Sequence, residues 1–287
     1  MAQLQGAMEE AFQQIKRLEL NLDSESEDID EQVIAQLEEA TPLRTDICRV
    51  FGDVLRYSPE TSLDAFRTFF ETCGRWTEHW EVGTKSAEDP GSDAIRLFLI
   101  ELILHLTAVA LSERKLGAIS RLFVEPIIVE SEDTVVKMDV RCFVGGHVHQ
   151  IECVREKRHK AEGLQHEGLL CDLLKKRATD EREWSRLIEA EVFLWLLQCT
   201  IDERVWEPRV MASMPGNKPC KTFARAHLDE GLMTDVVLFF GMDLEELKQK
   251  AEEHTQKLNS RHASRGGPWT KYQWYWDRIL GIETYPR

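Results

Sequence analysis

His147 and His149 are the two residues whose spacing most suggests metal chemistry. On a β-strand, residues i and i+2 point to the same side, so two imidazoles can share one ion. Glu152, Cys153, His159, Cys171 and Asp172 lie nearby in the sequence. Zinc wants three or four such ligands at defined positions, and a lone His-x-His does not supply them. The alternative is a pair of exposed histidines on a hairpin. A metal-dependent nuclease or hydrolase would use these histidines with neighbouring acids. The acids, however, do not fall in the order a restriction-type nuclease needs. Asp139 lies on the first expected strand, but Glu152 has no lysine two residues later, and Glu156-Lys157 are adjacent. Arg155 and His159 are one residue too close for an Arg-x4-His ribonuclease motif. The phosphate-binding, dinucleotide, nucleophile-elbow and HExxH signatures are absent from the sequence. No catalytic residue is assigned, no cofactor is expected, and the chain reads more readily as a protein that is not an enzyme.

A second chemistry is anion binding. Arg155, Lys157, Arg158, His159 and Lys160 form a basic run, and Lys175, Lys176 and Arg177 form another. In a chain of net charge −15 this local reversal can be a phosphate or nucleic-acid footprint. More often such residues form a solvated helix face that balances acidic neighbours. The third chemistry is protein recognition. Trp269, Tyr272, Trp274, Tyr275, Trp276 and Tyr285 crowd the C-terminal tail with Lys271 and Arg278, as aromatic anchors do at interfaces. Leu4, Met8, Phe12, Ile15 and Leu18 give the N-terminal stretch one apolar helical face. Both segments are candidates for docking a partner or for packing back on the body.

These residues need elements to hold them. The longest apolar run, Ser92 to Lys115, reads as a helix capped by Ser92 or Asp93 after Pro90-Gly91. A helix apolar nearly all round is either buried or spans a membrane. Arg96, Glu101 and His105 interrupt the run, and a charge at the bilayer centre costs several kcal/mol. The expectation is therefore a core helix, with Glu101 and His105 four residues apart on one side and able to pair. Flanking helices are expected over 30–56, with a break at Thr41-Pro42 and Thr41 as cap. Others are expected over 62–80, 116–123, 168–178, 183–198, in part over 223–240, and over 243–260 with Asp243 as cap. The acidic stretch 21–32 reads as a linker. Residues 134–154 alternate apolar and polar around Gly145-Gly146 and predict a β-hairpin. Seven scattered cysteines without a CxxC fit reduced thiols. The polar, acidic start does not read as a signal peptide, so the expectation is a cytoplasmic protein with no membrane contact.

Five segments, in order, resemble a helical domain of bacterial proteins of uncharacterised function that are often encoded with or fused to putative anti-phage defence effectors. They are LFVEPII (122–128), LLCDLLKKRA (169–178), LIEAEVFLWLL (187–197), WEPR (206–209) and FARA (223–226). The central helix matches that domain's apolar helix, and the resemblance spans about residues 43–260. The hairpin departs from the helix expected there. The resemblance implies a sensor, scaffold or accessory subunit in antiviral defence and transfers no catalytic residue. The expected fold is mainly α, a multi-helix domain around one buried helix with a small β-hairpin insertion. Residues 1–32 would be a helix and acidic arm, and 33–287 the body with an aromatic tail. The expected partner is an ATPase or nuclease component of the same operon, with nucleic acid and self-assembly as further candidates.

Overall fold

The computed structural model describes residues 2–17, 28–58, 60–78, 90–123, 127–130, 135–138, 154–155, 157, 160–161, 169–201, 208, 210–211, 220–264 and 274–282. These residues are mainly helical, and the chain divides into two compact units, Met1–Arg177 and Ala178–Arg287.

The first unit is built on α5 (Pro90–Ser112). From Ala94 to Leu104 its apolar side chains are almost completely excluded from solvent. Four helices make this possible by packing against it: α2 (Ile29–Glu39), α3 (Thr41–Tyr57), α6 (Leu116–Phe123) and α7 (Leu169–Arg177). The stretch Ala94–Ser112 is long and apolar enough to cross a membrane, but 78% of its most apolar window is buried. The helix ends with Arg114 in the left-handed conformation (φ 57°), which lets the Lys115 N–H reach back to the Ala110 carbonyl at 2.9 Å.

Pro42 divides α2 from α3 because a proline fits only the first turn of a helix. The cap is Ala40 rather than the expected Thr41, which is already helical. Of the linker expected over 21–32, residues 29–32 belong to α2, with Ile29 and Asp30 buried, and residues 21–27 lie outside the described residues. A 3-10 turn (Glu60–Leu63) leads into α4 (Asp64–Glu78). Leu63, Phe66, Phe69, Phe70 and Cys73 are buried, the face the spacing predicted. Phe51 meets Phe66 edge-on at 5.1 Å, and Phe70 meets Phe123 at 5.9 Å. The N-terminal helix α1 (Ala2–Lys16) belongs to this unit, packing on α4 and α3 with Met8, Ala11 and Ile15 buried.

Among the described residues the strand pairing is not the expected one. β1 (Ile127–Glu130) runs antiparallel to β2 (Val135–Met138), with Val129 opposite Val136. The strand expected to turn at Gly145-Gly146 thus pairs backwards with the β-prone Ile127-Ile128-Val129, where a short connection keeps the closure entropy small. Residues 139–153 lie outside the described residues, and Val154, the expected strand end, is helical. The insertion proposed over 134–154 is therefore not supported.

The second unit is organised around α8 (Glu181–Ile201), buried from Leu187 to Cys199 except at Glu189, which is half-buried. Its start is a capping arrangement: Asp180 accepts from the Glu183 N–H at 2.7 Å, and Glu183 accepts from the Thr179 N–H at 2.8 Å. The region expected to be partly helical over 223–240 is two helices, α9 (Lys221–Ala226) and α10 (Glu230–Phe240). Asp229 caps α10 by accepting from the Leu232 N–H at 3.1 Å, and Gly241 closes it at φ 69°. Next comes α11 (Leu244–Ser264), which packs on α8. Asp243 caps α11 as predicted, accepting from the Glu246 N–H at 2.9 Å. The chain returns through α12 (Trp276–Ile279), whose Ile279 carbonyl accepts from the Cys220 N–H at 3.1 Å.

Candidate functional site

Glu101 projects from the middle of α5 and is fully buried. A carboxylate there must be met by opposite charge. Arg44 from α3 donates a hydrogen bond to its Oε1, and Arg177 from the end of α7 approaches the same oxygen at 3.3 Å. Arg177 also donates to the Thr41 hydroxyl at 2.7 Å. One ion cluster therefore joins α3, α5 and α7. Burial lowers the pKa of Arg177, an effect that Glu101 opposes. The His105 Nε2 is 4.0 Å from Glu101. Burial, followed by the Arg44 and Arg177 charges, pushes the His105 pKa down to about 3, so the ring is neutral. The expected Glu101–His105 pair is thus secondary to two arginines brought from far along the chain.

Arg155 makes the second cluster. It donates to Asp172 at 2.6 Å and lies 3.7 Å from Asp30. Arg155 and Asp30 are buried. The two basic runs are therefore split by burial. Arg155 and Arg177 turn inward to carboxylates, while Lys157, Lys160, Lys175 and Lys176 are exposed. Arg158, His147 and His149 lie outside the described residues. Among the described residues, no group of three His, Cys, Asp or Glu could hold a metal ion.

In the second unit, two acids on α8 serve as acceptors for loop backbone. Glu191 accepts from the N–H groups of Val210 (2.6 Å) and Met211. Glu189 accepts from the N–H and hydroxyl of Thr222, both at 2.6 Å, and from the Cys220 thiol at 3.3 Å. Burial raises the pKa of the Cys73, Cys199 and Cys220 thiols, which disfavours the nucleophilic thiolate.

The expected interface residues divide in the same way. In α1, Met8 and Ile15 are buried, and Leu4 and Phe12 are half-buried. In the tail, Trp276 stacks on Trp195 with centroids 5.2 Å apart and rings nearly parallel, and it donates to the Thr255 hydroxyl at 3.1 Å. Trp274 lies edge-on to Trp195 at 5.5 Å. Trp269 lies outside the described residues. Trp274 and Trp276 close the core of the second unit, while Tyr275 is exposed.

The surface feature that sequence reasoning missed is on α10. Leu232, Val236 and Phe240 bury one face, where Phe240 reaches Phe193 at 5.0 Å. The opposite face carries Gly231, Thr234 and Leu238, all exposed, and Leu228 precedes the helix. Leu238 is 74% exposed and Leu228 89%. The signal was present in GLMTDVVLFF, a short helix with more apolar residues than one buried face needs. In comparisons with known proteins, the chain matches no family model, no curated protein and no solved structure.

Proposed function

We propose that this protein is a non-catalytic accessory subunit of a bacterial anti-phage defence complex, acting in the cytoplasm by binding an ATPase or nuclease component encoded beside it. The observation that carries this reading is the exposure of Leu238 on the outer face of α10 and of Leu228 just before the helix. Leu228 and Leu238 keep large hydrocarbon side chains in water, whereas the apolar helices α5 and α8 are covered on nearly every side. The buried charges support the same reading. Glu101, Arg155 and Arg177 are held by ion pairs inside the first unit, and Glu191 by loop backbone in the second, as befits groups that fix packing. The segment order that resembles defence-associated helical domains supplies the setting. Tagged protein expressed with its flanking genes should retain one of their products through size-exclusion chromatography. Elution of the chain alone, whichever flanking gene is present, would contradict the proposal.

A further inference from the structure

We infer that the outer face of α10 docks a partner protein's helix whose apolar stripe is flanked by lysines or arginines. This inference rests on the proposed interaction role and names the chemistry of its partner. Gly231, Thr234 and Leu238 fall at i, i+3 and i+7, the spacing by which one helix meets another. All three are exposed, and the first two are small enough to let a second backbone approach. A Cβ added to Gly231 would meet only the Asp229 carboxylate at 3.3 Å, so the position is open towards solvent. Leu238 then supplies the apolar anchor, opposite the buried Leu232 and Val236.

Charge decides between occupants. Glu230 and Asp235 are exposed and flank the Leu238 stripe on either side of the helix. From Leu228 to Glu253 the sequence carries Asp229, Glu230, Asp235, Asp243, Glu245, Glu246, Glu252 and Glu253 against only Lys248 and Lys250. Lys248 is itself paired with Asp277. A second copy of this chain would set one acidic face against another, and like charges brought together at an interface oppose association. A stripe edged with lysine or arginine gains attraction on both sides of Leu238, and the rim charges speed encounter and fix register.

The test uses the full chain and two synthetic three-heptad peptides with leucine at the a and d positions. One carries lysine at e and g, and the other carries glutamate there. The lysine peptide should bind on the order of tenfold more tightly than its twin in low salt, and salt should narrow the gap. Leu238→Lys should abolish binding without changing the far-UV spectrum or the melting temperature, because the side chain is exposed. Glu230→Lys combined with Asp235→Lys should transfer the preference to the glutamate peptide. Equal binding of both peptides, binding of neither, or binding that survives Leu238→Lys would overturn the inference. A dimer of the wild-type chain that Leu238→Lys dissociates would do so as well, in favour of self-association. If a flanking gene product co-purifies through Leu238 while the lysine peptide fails, the assignment of basic chemistry falls and the accessory role stands. If no product co-purifies while the peptides behave as expected, the accessory role falls instead.

Discussion

Glu101 holds two guanidiniums at one oxygen in the interior of the first unit. Removing a single partner from such a cluster leaves charge buried without compensation, which costs about 3–5 kcal/mol. Glu101→Gln should therefore lower the unfolding free energy from urea titration of the full chain by an amount of that order. The joint replacement Arg44→Met, Glu101→Leu and Arg177→Met should cost far less, because no charge is stranded. A Glu101→Gln variant as stable as the wild type would show that the cluster does not hold the three helices. His105 adds a dependence on pH. Its folded pKa of about 3 lies below the ordinary 6.5, so the unfolded chain takes up a proton that the folded chain refuses. Stability should therefore fall as pH drops below about 6.5 and continue falling towards about 3. Between pH 7 and pH 5 the wild type should lose about 2 kcal/mol more than His105→Asn, measured by urea titration at each pH. Parallel pH profiles for the two proteins would contradict the buried neutral ring.

The elements differ in how legible they were. Long apolar periodicity announced α5 and α8, and Asp243 announced the start of α11, because each signal lies within one stretch of chain. The pairing of β1 with β2 was not legible. Alternation marks a strand but does not name its partner, and Val135–Met138 pairs with the nearby Ile127–Glu130. Glu101 and His105 were read as a pair because they are four apart on one helix. Arg44 and Arg177 could not be added, since nothing in the sequence says which distant helices meet at Glu101. The same limit hid the roles of Glu189 and Glu191, which look like surface acids on an amphipathic helix and instead hold loop backbone. Glu191→Ala should leave the Val210 and Met211 N–H groups buried without an acceptor, at about 1–3 kcal/mol each, read as a lowered thermal midpoint. Arg114→Gly should have the opposite sign. Relieving a non-glycine residue at φ 57° should raise stability by about 1 kcal/mol in thermal melts.

At the scale of the whole molecule, the chain forms two compact units, Met1–Arg177 and Ala178–Arg287. Each has its own core, one around α5 and one around the Trp195–Trp276 stack on α8. Leu106→Asp places an unpaired charge in the first core and should unfold that unit, with loss of much of the helical signal in far-UV circular dichroism. The near-UV signal of the stacked tryptophans should persist, and its loss would show that the second core depends on the first. Outside the second core, α10 exposes Leu238 between Glu230 and Asp235. The measurement that tests its role most directly is co-expression of the tagged chain with its flanking genes, with and without Leu238→Lys, followed by size-exclusion chromatography. A flanking product should co-elute with the wild type and be lost from a folded Leu238→Lys variant. Elution of the wild type alone, or a complex indifferent to Leu238, would contradict the account.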